Sequence, residues 1–81
     1  MNIYAIFESI HFLLKTEKAI RKAELKFELR PNPAELKSSC GMCIAFGEKD
    51  LDSIKNIISS SLEENLYSLY RKTKSGFRSL K

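Results

Sequence analysis

Apolar residues recur along this chain with two different periods, and each stretch points to an element. In "NIYAIFE", Ile3, Ala5 and Phe7 alternate with Tyr4 and Ile6, so both faces are apolar and a central strand is expected. Ser9 then offers an N-cap for a helix carrying Ile10, Leu13, Leu14, Ile20 and Ala23 at three-to-four spacing. No glycine marks the end of that helix, which falls near residues 23–25. "LKFELR" sets Leu25, Phe27 and Leu29 against Lys26, Glu28 and Arg30, the pattern of a strand with one wet face. Pro31 and Pro33 interrupt pairing and open a loop that runs to about Ser39. "MCIAF" is a further apolar strand, closed by Gly47. Asp50 offers a cap for a second helix with a stripe of Leu51, Ile54, Ile57, Ile58 and Leu62, and "NLYSLY" is the last strand.

The order strand, helix, strand, strand, helix, strand predicts an α+β fold: a ferredoxin-like βαββαβ sandwich with a four-stranded antiparallel sheet and two helices on one face. The first and third strands are then adjacent at the centre. Residues 1–70 form one domain on this reading, and 71–81 a mobile basic tail. The opposite sheet face carries no helix, which leaves Tyr4, Ile6 and Ala45 exposed and invites docking or a homodimer.

Composition narrows the classes. Eighty-one residues suffice for one small core. With 43% hydrophobic and 30% charged residues, the chain reads as a globular domain. The longest apolar runs, Ile3–Phe7 and Met42–Phe46, are too short to span a bilayer, so no membrane partner is expected. Met1–Phe7 lacks the basic start and cleavage site of a secretory signal, which points to the cytoplasm. The net charge of +4 gathers in "RKTKSGFRSLK", where Arg71, Lys72, Lys74, Arg78 and Lys81 face no acidic residue.

Both cysteines lie in "SSCGMCIAF", and in a reducing compartment such a pair signals chemistry or metal before a structural disulfide. The topology brings Cys40, at the base of the proline loop, to Glu8, Ser9, Ile10 and His11, where the first helix begins. A helix N-terminus carries partial positive charge and unpaired N–H groups, both of which stabilise a thiolate. Gly41 leaves room for a sulfur-borne group, Ser38 and Ser39 add hydroxyls, and His11 adds a proton acceptor or a charge. Cys43 is three residues on. In an extended strand the two Cα atoms lie about 10 Å apart, beyond disulfide reach, with the side chains on opposite faces. Cys40 then shares a face with Met42, Ile44 and Phe46, and Cys43 with Ala45. A turn at Gly41-Met42 would instead let Cys43 resolve Cys40 in a dithiol redox module.

Other classes fit less well. One CxxC supplies two ligands where structural zinc needs four, so no metal and no cofactor is expected. No phosphate cradle, carboxylate pair or triad signature is visible. Nucleic acid is not an expected partner, because the third strand offers a single aromatic residue, Phe46.

Three segments carry a family resemblance: "YAIFESIHFLLKTEK" at Tyr4–Lys18, "RPNPAELKSSCGMCIAF" at Arg30–Phe46 and "DLDSIKNII" at Asp50–Ile58. With its proline loop followed by Ser-Ser-Cys-Gly, the chain resembles the small bacterial selenium/sulfur carrier family. The resemblance implies Cys40 as the carrier thiol, with Gly41, Ser39 and His11 around it. It does not imply Cys43, whose slot commonly holds a small residue. Ala34 follows the second proline where the family often has an arginine, so no anion-binding role is carried over to that loop. The expected function is a sulfur or selenium carrier rather than an enzyme: Cys40, supported by Ser9 and Ile10 at the helix start, accepts the atom as a persulfide or selenopersulfide. Its partners are then donor and acceptor proteins. The alternatives are the Cys40/Cys43 redox module and a non-catalytic interaction domain.

Overall fold

In a computed structural model that describes residues 1–80, five strands and two helices follow one another along the chain. They are β1 (Ile3–Phe7), α1 (Ile10–Lys22), β2 (Glu28–Pro31), β3 (Met42–Phe46), α2 (Leu51–Ser59), β4 (Tyr67–Thr73) and β5 (Gly76–Ser79). All pairings are antiparallel, in the order β2-β3-β1-β4-β5. Every residue of β1 is buried, as its two apolar faces require.

The α+β class is as expected, but the sheet has five strands, not four. The extra strand comes from the segment expected as a mobile tail. Residues 71–73 complete β4, Lys74 and Ser75 turn the chain, and β5 returns with Lys72 opposite Phe77 and Thr73 opposite Gly76. Arg78 on the outer strand and Lys74 in the turn before it discourage further pairing with other chains. The charge density read as a tail is therefore carried by the β4–β5 hairpin at one side of the sheet. Lys81 of that expected tail lies outside the described residues.

Alternation along the strands sorts side chains into two cores. On the helix side, Ile3, Ala5, Phe7, Ile44, Phe46 and Leu69 meet Leu13 and Ile20 of α1 and Ile54 and Ile58 of α2. Phe7 and Phe46 are wholly enclosed, and truncating either to alanine costs about 3–5 kcal/mol. The opposite face is not open, contrary to expectation. Tyr4, Ile6, Cys43 and Ala45 form a second cluster, covered by Leu36 from the proline loop and by Tyr70 and Phe77 from the hairpin. Tyr4 and Ile6 are only 6% and 5% exposed. The patch expected to serve a homodimer is thus filled by the chain itself.

Helix and strand ends also depart from expectation in instructive ways. Ser9 and Asp50 occupy the N-cap positions, yet neither makes a side-chain cap bond. α1 ends without glycine, because Glu24 itself adopts the left-handed conformation at φ 60°. Its amide donates to the Arg21 carbonyl at 2.9 Å, and Leu25 donates to Ile20 at 3.3 Å, which closes a Schellman turn. α2 stops at Ser59, short of Leu62, which is buried beyond the helix. The hydroxyls of Ser59, Ser60 and Ser61 donate back to carbonyls of residues 56–58, an alternative to further helix that serine readily takes. β2 is shorter than "LKFELR" and includes Pro31, opposite Met42, which the outermost position of the strand permits.

Candidate functional site

Cys40 sits in a turn between the proline loop and β3, half-buried, with a free thiol. It packs against the helix-side core together with Met42. Gly41 has φ 78°, which L residues avoid, and a Cβ built there meets no atom within 4 Å. Glycine is therefore needed by the backbone while the space beside it stays open.

Three hydrogen bonds hold the loop. Ser39 Oγ donates to the Glu8 carbonyl at 2.6 Å, across 31 residues of chain. This fastens the residue before Cys40 to the exit of β1, one position ahead of Ser9. The Asn32 amide donates to the Gly41 carbonyl at 3.0 Å and so continues the β2–β3 ladder by one step. Asn32 Nδ2 donates to Ser38 Oγ at 2.7 Å. Within the loop, Leu36 N donates to the Pro33 carbonyl at 2.9 Å, and Leu36 folds under onto the second core.

The sequence-predicted residues are thus partly assembled. Ser39, Cys40 and Gly41 lie at the mouth of α1, where Ser9 is extended and leaves its hydroxyl off the helix. The first turn of α1 holds no acidic residue. His11 is exposed and makes no contact with the loop among the described hydrogen bonds and ion pairs. Ile10 and Leu14, one helical turn apart, are 43% and 50% exposed and extend an apolar strip down α1 from this mouth.

Cys43 lies elsewhere. It is fully buried in the second core, with its thiol 3.8 Å from the Pro31 carbonyl. Burial pushes its pKa up, partly offset by Arg30, and Cys40 adds to the rise. The two thiols are free and belong to clusters on opposite sides of the sheet. Among the described residues no three His, Cys, Asp or Glu side chains converge as a metal site. No helix among them is long and apolar enough to cross a membrane.

Sequence reasoning missed Asn32. Its side chain organises the loop, and its Oδ1 is buried without a partner among the described residues. The signal was its place between Pro31 and Pro33, where both neighbours have fixed φ and the asparagine has a side chain that can hydrogen-bond. Arg30 was also passed over. It donates to Tyr4 Oη at 2.8 Å and to Glu28 at 2.7 Å, and so ties the edge strand across β3 to β1.

Residues 2–67 match the family described as "Putative Se/S carrier protein-like". The chain belongs to this family. The matched segment holds β1, both helices, the Cys40 loop and β3, and it ends at the first residue of β4. The carrier family's segment therefore includes the whole Cys40 site, and nearly all of the β4–β5 hairpin lies beyond it. Neither the curated proteins nor the solved structures give a significant match.

Proposed function

We propose that Cys40 carries the sulfur or selenium atom. The observation behind this reading is the Ser39–Glu8 hydrogen bond, which holds the half-buried Cys40 turn against the start of α1 in a chain of the Se/S carrier family. In the loading step the Cys40 thiolate attacks the outer atom of a donor persulfide or selenopersulfide. The new S–S or S–Se bond forms on Cys40 as the donor's own bond breaks, and the donor leaves as its thiolate. Delivery repeats the exchange: an acceptor thiolate takes the outer atom and frees Cys40. Neither step needs an oxidant, a metal or a cofactor.

The elements around Cys40 suit this task. The N-terminus of α1 favours negative charge on the exposed outer atom. Gly41 keeps the approach clear, and the apolar pair Ile10 and Leu14 gives donor and acceptor proteins a place to seat. Both cysteines are free thiols, and the carrier works in a reducing compartment, the cytoplasm.

Incubation with a low-molecular-weight persulfide, followed by intact-mass spectrometry, tests this. Wild type and Cys43→Ala should each gain one reducible sulfur atom, and Cys40→Ala none. Sulfur carried by Cys40→Ala, or lost in Cys43→Ala, would overturn the assignment. The latter result would favour the dithiol module.

A further inference from the structure

The side of the sheet away from the helices has a second character besides its buried cluster. Its strand register places Tyr4 beside Tyr70 and Tyr70 beside Ser79, with Lys72 opposite Phe77 in the next row. The Phe77 ring meets Tyr4 edge-on at 5.3 Å, and the Arg30 guanidinium stands 5.7 Å from the Tyr4 ring centre. Tyr70 and Phe77 keep part of their surface in solvent, and Lys72 and Lys74 are exposed. From Asn65 to Leu80 the chain holds Arg71, Lys72, Lys74 and Arg78 and no Asp or Glu. Of these four, only Arg71 has an ion-pair partner among the described residues, Glu48.

We propose that this face binds single-stranded RNA, with bases stacking on Tyr70 and Phe77 and phosphates held by Lys72 and Lys74. Partly exposed aromatic rings beside cations match the two faces of a nucleotide, its flat base and its charged backbone. An acidic protein would use the cations but has no need of the rings. Ser68, two residues from Tyr70 on the same face, offers a hydroxyl for a ribose 2′-OH. The expectation against nucleic acid looked for aromatics on the third strand. Here they come from β4 and β5, and β5 was not foreseen. The surface lies beyond the family's matched segment and on the other side of the sheet from the core against which Cys40 packs. It therefore stands or falls independently of the carrier reading.

Fluorescence anisotropy with a short labelled oligouridylate tests the proposal. Wild type and Cys40→Ala should bind equally. Affinity should fall with salt at a log–log slope of about −1.4, as for two phosphate contacts. Tyr70→Leu and Phe77→Leu keep apolar packing but lose the π face, and each should weaken binding about tenfold. Lys72→Glu combined with Lys74→Glu should abolish binding while the thermal melt is unchanged. Oligodeoxyuridylate should bind several-fold more weakly, and polyglutamate should compete poorly. No binding at low salt overturns the proposal. So does wild-type affinity in both leucine variants, which would mark a surface that reads charge alone. Efficient displacement by polyglutamate would reassign the face to an acidic protein, and equal affinity for the DNA would overturn the choice of RNA.

Discussion

Burial raises the pKa of Cys43, and that shift carries a pH dependence of stability. An unfolded cysteine titrates near about 8.5. Below that value both states keep the proton and the native state is at full strength. As pH rises the unfolded chain releases its proton first, so stability is lost progressively through the folded pKa. Urea midpoints at neutral and alkaline pH should therefore fall further for wild type than for Cys43→Ala, and equal falls would show that the thiol is not linked to folding. The same burial should leave Cys40 as the thiol that iodoacetamide reaches in the native protein, with Cys43 modified only on unfolding. Thr16 poses a different residue-scale question. It is fully buried on α1, and its hydroxyl has no hydrogen-bond partner among the described residues. Thr16→Val keeps the shape and removes the desolvated group, so stability should rise by about 1 kcal/mol, read from the urea midpoint. The face of Cys43 was legible because it shares period 2 with Ala45 within β3, whereas Cys40 stands in a turn outside the strand. The unpaired hydroxyl of Thr16 was not, because sequence does not say which side chains reach a carbonyl.

Among the elements, α1 shows what a helix end costs when glycine is absent. Glu24 holds φ 60° so that the Schellman bonds to Arg21 and Ile20 can form. A side chain with a Cβ is strained there by about 1 kcal/mol, and glycine is not. Glu24→Gly should therefore raise stability by about that amount, despite the usual penalty of glycine in an unfolded chain, and circular-dichroism melts will show it as a higher Tm. A lower Tm would mean that unfolded-state entropy outweighs the strain. The end of α1 was read correctly to within a few residues from the loss of apolar spacing, but the motif that makes it was hidden because no residue type announced it. β2 was hidden for another reason. Its apolar stripe begins at Leu25, but Leu25 closes the turn and Phe27 lies under Arg21, whose guanidinium is 5.0 Å from the ring centre. Pairing begins only at Glu28. Alternation fixed the face of these residues and not the residue at which hydrogen bonding starts.

At the scale of the whole molecule, the hairpin decides whether the sheet has a bare side. Sequence alone suggested an open face because helices account for only one side of the sheet, and a strand made of "GFRS" carries too few apolar residues to be recognised. In the folded chain Phe77 is the residue that reaches back over β4 to Tyr4, while Leu36 covers the other half of that face. Removing residues 74–81 should therefore do two things at once. It should uncover Tyr4 and Tyr70, and it should leave β4, now the outermost strand, with unpaired backbone groups along Tyr70–Thr73. An exposed edge beside an apolar patch recruits another copy of itself. Sedimentation velocity should accordingly show the truncated chain associating with rising concentration, and the full chain with Phe77→Ala doing so less, since its edge remains paired. The loop at Ser39 makes no bond to the deleted segment, and among the described residues the helix-side core loses only Leu80, so the truncated chain should still take up one sulfur on Cys40. A truncated chain that stays monomeric would mean that Leu36 and the loop suffice to cover the face. A truncated chain that no longer loads Cys40 would mean that the two sides of the sheet are coupled through the central strands β1 and β3, whose side chains enter both cores.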